Sequence, residues 1–136
     1  MKKIINILLL FASISSFSQF KITGYFDAKI GINYSFLDDF QAEIRINDDL
    51  GIDFSAALSL LYQFIKKENY NLNTGIGISY FLFSDSDLES MYIPLQIEIL
   101  PFKNLRNLGL VLETAYHFSE IENGLRNSVG IRYIFN

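Results

Sequence analysis

The chain has 136 residues, half of them hydrophobic and 15% aromatic, with no Cys, no Trp, a single His and a formal net charge of −4. That length makes one domain, and the acidic balance argues against nucleic acid as a partner, because phosphate binding needs a basic surface. Without Cys there is no disulfide, thiol nucleophile, thiolate metal site or lipid-anchored N-terminal cysteine, and no motif asks for a cofactor.

The first element is a leader. "MKK" is basic, "IINILLLFASISSF" is apolar, and Ser16 and Ser18 place small residues where signal peptidase inspects the chain. A cleaved signal peptide over residues 1–18 is expected, leaving 19–136 as the folded domain. The competing reading, a membrane anchor helix, is weaker because the apolar run is short and strand alternation follows at once. Beyond the leader, no stretch approaches the roughly 20 apolar residues of a membrane helix.

"FKITGYFDAKIGINYSF" then runs from Phe20 to Phe36 with every even position apolar or glycine and most odd positions polar. A period of two marks a strand with two unlike faces. The alternation continues in "FQAEIRIN", in "LGIDFSAALSLLYQF" and in "YNLNTGIGISYFLF". "MYIPLQIEI", "LGLVLETAYHF" and "RNSVGIRYIF" complete the pattern. The connecting segments "LDD", "NDDLG", "IKKEN", "SDSDLES", "PFKNLRN" and "SEIENG" are rich in turn residues. No helical period competes. The expected fold is an all-β, antiparallel up-and-down meander with short connections.

Two observations decide which face is inside. The polar faces carry Lys21, Lys29, Arg45, Arg126 and Arg132 against Asp27, Glu43, Asp53, Glu98 and Glu113, a balanced set. Balance suits a closed lumen, where an isolated charge is costly unless paired. The apolar faces are too extensive for the interior of a small barrel, which has limited room. Their aromatics cluster near the ends of the runs, as in the girdles of a lipid-facing band: Tyr34, Phe36, Tyr62, Phe64, Tyr80, Tyr116, Phe118, Tyr133 and Phe135. The apolar face is therefore expected to meet lipid, with the meander closed into a small transmembrane β-barrel. A secreted soluble β-barrel binding an apolar ligand is the alternative.

The strand count has two solutions. Seven runs are visible, bacterial barrels have an even number, and Phe20–Phe36 exceeds the 9–11 residues of one crossing. Folding this run back near Asp27 gives eight strands. Placing "LDDFQAEIRINDDL" outside as one excursion gives six. Eight is preferred. If Phe135 ends in the periplasm, "NDDLG", "SDSDLES" and "SEIENG" lie outside with only acidic charges. "IKKEN" and "PFKNLRN" then lie in the periplasm with Lys66, Lys67, Lys103 and Arg106 beside Glu68.

"YIPLQIEILPF", with its Pro94, and "GIRYIFN" resemble the small outer-membrane β-barrel proteins of Gram-negative bacteria, the porin-like "outer membrane protein beta-barrel domain" group. "AKIGINYS", "FSAALSLLYQF" and "LNTGIGISYF" match strands of that group in order, although this chain is shorter than usual. The resemblance implies a C-terminal strand read by the barrel insertion machinery, with Tyr133 and Phe135 carrying the signal and Asn136 following the usual final aromatic. Outer-membrane lipid is the expected surroundings of a monomer, and the expected role is structural or at the surface, without catalysis.

One catalytic alternative exists. His117 and Ser119 resemble the pair of outer-membrane lipid A deacylases, and Glu113 or Glu120 could orient the imidazole. Against it, Glu120 stands where those enzymes usually have Asn, and His117 falls on the polar face rather than the lipid face. A lumen histidine bonded to a carboxylate is the plainer expectation. "SDSDLES" lacks the glycine and distal Glu of an EF-hand loop and reads as a solvated acidic turn. "GIG" at Gly75–Gly77 has no following helix or Lys to make a phosphate loop; close packing, or room for a long lumen side chain, is its expected use.

Overall fold

The computed structural model describes residues 4–6, 20–49, 53–82, 88–120 and 123–135. The expected leader lies outside these residues except for 4–6, a single helical turn. Eight strands follow: β1 (Phe20–Tyr25), β2 (Lys29–Ser35), β3 (Phe40–Asp49), β4 (Asp53–Lys66), β5 (Tyr70–Phe81), β6 (Leu88–Ile99), β7 (Leu108–Phe118) and β8 (Gly124–Ile134). Each pairs antiparallel with the next, and β8 pairs with β1, so the sheet closes into a barrel with no free edge. Closure is what allows strands to stand in a solvent that cannot hydrogen-bond their backbone.

The run from Phe20 to Phe36 folds back on itself, with Tyr25 opposite Lys29. The reversal takes only Phe26, Asp27 and Ala28, and Ala28 adopts the left-handed conformation (φ 60°) that tight hairpins of this length usually give to glycine. This turn settles the count at eight. It also moves the Asp38–Asp39 turn to the end of the barrel where the termini lie.

Alternation decides the faces. In β1 the odd residues are buried and the even ones exposed: Lys21 is 5% exposed, Ile22 41%. In β8 Arg132 is fully buried between exposed Ile131 and Tyr133. The surface is that of a barrel turned inside out, with Ile, Leu, Phe and Tyr around its wall and Lys, Arg, Glu, Asn and Gln within. A water-soluble barrel would have the reverse arrangement. Near the termini the wall carries contacting aromatics: Phe20 with Tyr34 (ring centroids 4.9 Å apart), Phe40 with Tyr62 (5.1 Å) and Tyr133 with Phe135 (4.9 Å). At the opposite end Tyr116 and Phe118 meet edge to face at 4.8 Å.

One irregularity bears on the interior. The pairing of β4 with β5 shifts between Gln63 and Ile65. Before the shift Gln63 faces Asn73; after it Lys66 faces Asn71. Phe64 is the extra residue of this bulge, and the slip inverts the side on which Lys66 falls. Strict alternation assigns Lys66 to the wall, whereas the bulge turns it toward the mouth of the lumen.

Candidate functional site

Among the described residues, charged and polar side chains gather in the interior. Six charged side chains from five strands form a single alternating chain across it. Lys21 of β1 binds Glu98 of β6 at 3.1 Å. Glu98 accepts from Arg132 of β8 at 2.7 Å, and Arg132 reaches Glu43 of β3 at 3.2 Å. Glu43 pairs with Arg45, and Arg45 grips Glu113 of β7 with both terminal nitrogens, one of these bonds being 2.6 Å long. The order is plus, minus, plus, minus, plus, minus. All six residues are at most 6% exposed. Each buried ion costs several kcal/mol of hydration, so the arrangement is stable only because every charge touches its opposite through charge-assisted bonds.

Neutral groups complete the set. Arg132 donates to Thr23 at 2.7 Å and to Asn33 at 3.3 Å, and Gln96 donates to Glu113 at 2.6 Å. Tyr25 donates to Glu43 at 3.3 Å, and the guanidinium of Arg45 lies 4.9 Å from its ring centre. Tyr25, Thr23 and Gln96 are not charged, so a charge count along the polar faces passes over them. Their odd or even place in the alternation is the signal that marks them.

The remaining charged positions sit elsewhere. Asp27 pairs with Lys29 beside the β1–β2 turn, where Ser128 also donates to Asp27 at 3.0 Å. Burial works to raise the Asp27 carboxyl, but Lys29 and Ser128 outweigh it and hold it below the ordinary carboxylate value. Arg126 is at the rim, more than half exposed, 3.7 Å from Glu89. The side chain of Asp53 lies outside the described residues, as does the central part of the acidic segment between β5 and β6.

His117 points inward. Its ring stacks on Tyr92 (4.9 Å, 18° between planes) and its Nδ1 shares a 3.1 Å hydrogen bond with Ser90 Oγ. The expected carboxylate partner is thus replaced by a serine. The Ser119 backbone N–H is turned to Asn123 Oδ1 at 2.9 Å. Among the described residues the wall carries a polar pair, Thr114 donating to Asn127 at 2.6 Å, both on the outward side of β7 and β8.

The two glycines of "GIG" act differently. A Cβ on Gly77 would fall 2.2 Å from the Tyr92 ring, so the missing side chain is the space the ring occupies. A Cβ on Gly75 would fall 1.9 Å from the Leu60 carbonyl oxygen, so there the backbone itself needs the room.

Comparison with solved structures agrees with this geometry. The chain superposes on the N-terminal β-barrel domain of Pseudomonas aeruginosa OprF with a TM-score of 0.58, covering 87% of this chain and 95% of that one at 14% identity. This is the fold of a small outer-membrane β-barrel. Ail, the attachment invasion locus protein of Yersinia pestis, is more distant at a TM-score of 0.44 and 12% identity, with 87% and 93% of the two chains covered. No protein-family model and no curated protein sequence matches the chain.

Proposed function

We propose that this protein is an integral outer-membrane β-barrel whose role is structural or surface-related, without catalysis. The observation that carries the reading is the inverted distribution of charge and hydrocarbon: Ile22, Ile32 and Ile131 are each more than 40% exposed on the wall, while Glu43, Glu98 and Arg132 are sealed within. Water would disfavour such a surface and lipid favours it. A cleaved leader over residues 1–18 delivers the chain, and Tyr133 with Phe135, both outward at the C-terminal end, present the insertion signal. The Lys21–Glu98–Arg132–Glu43–Arg45–Glu113 chain plugs the lumen, so the barrel passes no solutes. The engagement of His117 with Ser90 and Tyr92 supports a packing role for that histidine.

Fractionation of expressing cells tests this reading. Retention in carbonate-washed outer membranes, with different gel mobility before and after boiling, is the expected result. Recovery in the soluble periplasm would refute it. Planar-bilayer recordings are expected to show no stable conductance steps; large stable steps would remove the plug from the proposal. Purified lipid A incubated with the refolded protein and with His117→Ala is expected to remain intact in both, and deacylation by the native chain alone would restore the hydrolase.

A further inference from the structure

The end of the lumen away from the termini holds a hydrogen-bond chain of its own, beside the central ion pairs. Ser79 on β5 donates to the Glu89 carboxylate at 2.8 Å. Its Oγ lies 3.2 Å from Ser90 Oγ on β6, and Ser90 Oγ lies 3.1 Å from His117 Nδ1 on β7. Both serines are at most 3% exposed, so water does not compete for their hydroxyls. A register shift brings the carboxylate in. Ser79 faces Ser90, but Tyr80 faces Leu88, which makes Glu89 the extra residue of a bulge on β6. Strict alternation would turn Glu89 to the wall beside the inward Ser90. The bulge re-aims it, and Glu89 lines the same interior space as His117.

Counting protons gives the chain a direction. A carboxylate only accepts, and a hydroxyl has one proton to give. Ser79 gives its proton to Glu89, so the bond between the serines is donated by Ser90. Ser90 then has no proton left for His117, and Nδ1 must be the donor in the last bond. A neutral imidazole carries a single N–H, which leaves Nε2 as a bare acceptor. Among the described residues no hydrogen bond reaches Nε2. The charges around the ring suit an acceptor better than a second donor. Lys29, Arg45 and Arg126 line the space that His117 lines, against Glu89 and Glu113.

We infer that Glu89, Ser79 and Ser90 form a one-way relay that fixes His117 as its Nδ1–H tautomer and holds Nε2 ready to accept a proton. Glu89 is a positioning residue, acting on the ring through two hydroxyls. The logic is that of a carboxylate orienting an imidazole, with two serines interposed. A packing role alone would make the tautomer indifferent to Ser79, whose hydroxyl bonds Glu89 and Ser90 rather than the ring. The inference concerns the interior and is independent of what surrounds the wall.

The test is NMR of the ring nitrogens in isotope-labelled, refolded protein in detergent micelles, at about pH 8, above the ordinary imidazole value. The chain has one histidine, so the signals need no assignment among residues. Couplings to the ring C–H protons tell Nδ1 from Nε2. A protonated Nδ1 and an unprotonated Nε2 are expected, the reverse of the form a free histidine side chain favours. Ser79→Ala and, separately, Glu89→Leu should each bring up the Nε2–H form. Ser79→Thr keeps the hydroxyl and should keep the Nδ1–H form. An Nε2–H ring in the unaltered protein would overturn the relay. So would a tautomer unchanged by Ser79→Ala in a sample that retains its heat-dependent gel shift, or by Glu89→Leu should the alanine variant not fold. The gel shift of the same samples reports separately on the membrane-barrel reading.

Discussion

Away from the termini the lumen is filled by rings. Tyr92 occupies the space left by Gly77 and stacks on His117, and Tyr25 lies against Gly31 and Gly130. The space remaining there is about 30 Å³, enough for a few waters at most. At the termini end the inward positions are Gln41, Gln63, Asn71 and Asn73, and about 480 Å³ stays open. The two ends share the same strands and the same charged centre, yet one is packed and the other is not. A large ring opposite a glycine fills a narrow barrel; short amides facing one another do not.

That contrast rests first on the centre. Arg132→Met would leave Glu98 and Glu43 short of a cation in a sealed interior, and is expected to cost about 3–5 kcal/mol. Urea unfolding of the refolded barrel measures it, and a cost below about 1 kcal/mol, the level of an exposed pair, would mean that water already reaches the centre from the open end. Gly77→Ala attacks the packed end. The added methyl must displace the Tyr92 ring, at an expected cost of about 1–3 kcal/mol, and unchanged stability in the same assay would show the ring to be free to move.

The turn that closes the packed end offers a gain. Ala28 holds a left-handed conformation that costs an L-residue roughly 1–2 kcal/mol, part of which glycine loses again through the unfolded chain. Ala28→Gly is expected to raise stability by about 0.5–1 kcal/mol, measured in the same titration. The smallest effect is at Asp27. Its carboxyl is held low in the folded protein, so the stabilisation it gives is present above the ordinary carboxylate value and is lost as pH falls through the lowered one. Asp27→Asn should therefore destabilise the barrel at neutral pH and make no difference in strong acid, and parallel pH–stability curves for the two proteins would remove that contribution.

Much of this was legible without coordinates. The alternation from Phe20 to Phe36 fixes both faces of β1 and β2 even across the turn, because three turn residues between Tyr25 and Lys29 preserve the parity. The inward placement of Lys21, Glu43, Arg45, Glu98, Glu113 and Arg132 follows from the same period of two. Tyr25 escaped notice because its neighbours, Gly24 and Phe26, belong to the apolar series and hide its inward position. Lys66 escaped because a bulge leaves no mark in a hydrophobic pattern. Asn127 stands between Arg126 and Ser128, and a run of three polar residues hides which of them faces outward.

The sequence by itself determined that the chain forms strands, which residues share a face, and that charge and hydrocarbon are kept apart, since these depend only on the backbone's period of two. Tertiary structure alone decided the pairing. Whether Lys21 meets Glu98, whether Arg132 bridges Glu98 and Glu43, and which end is left open depend on closure of β8 on β1 and on a one-residue slip at Phe64. Those are relations between residues as far apart in sequence as Lys21 and Ile134, and local pattern carries no information about them.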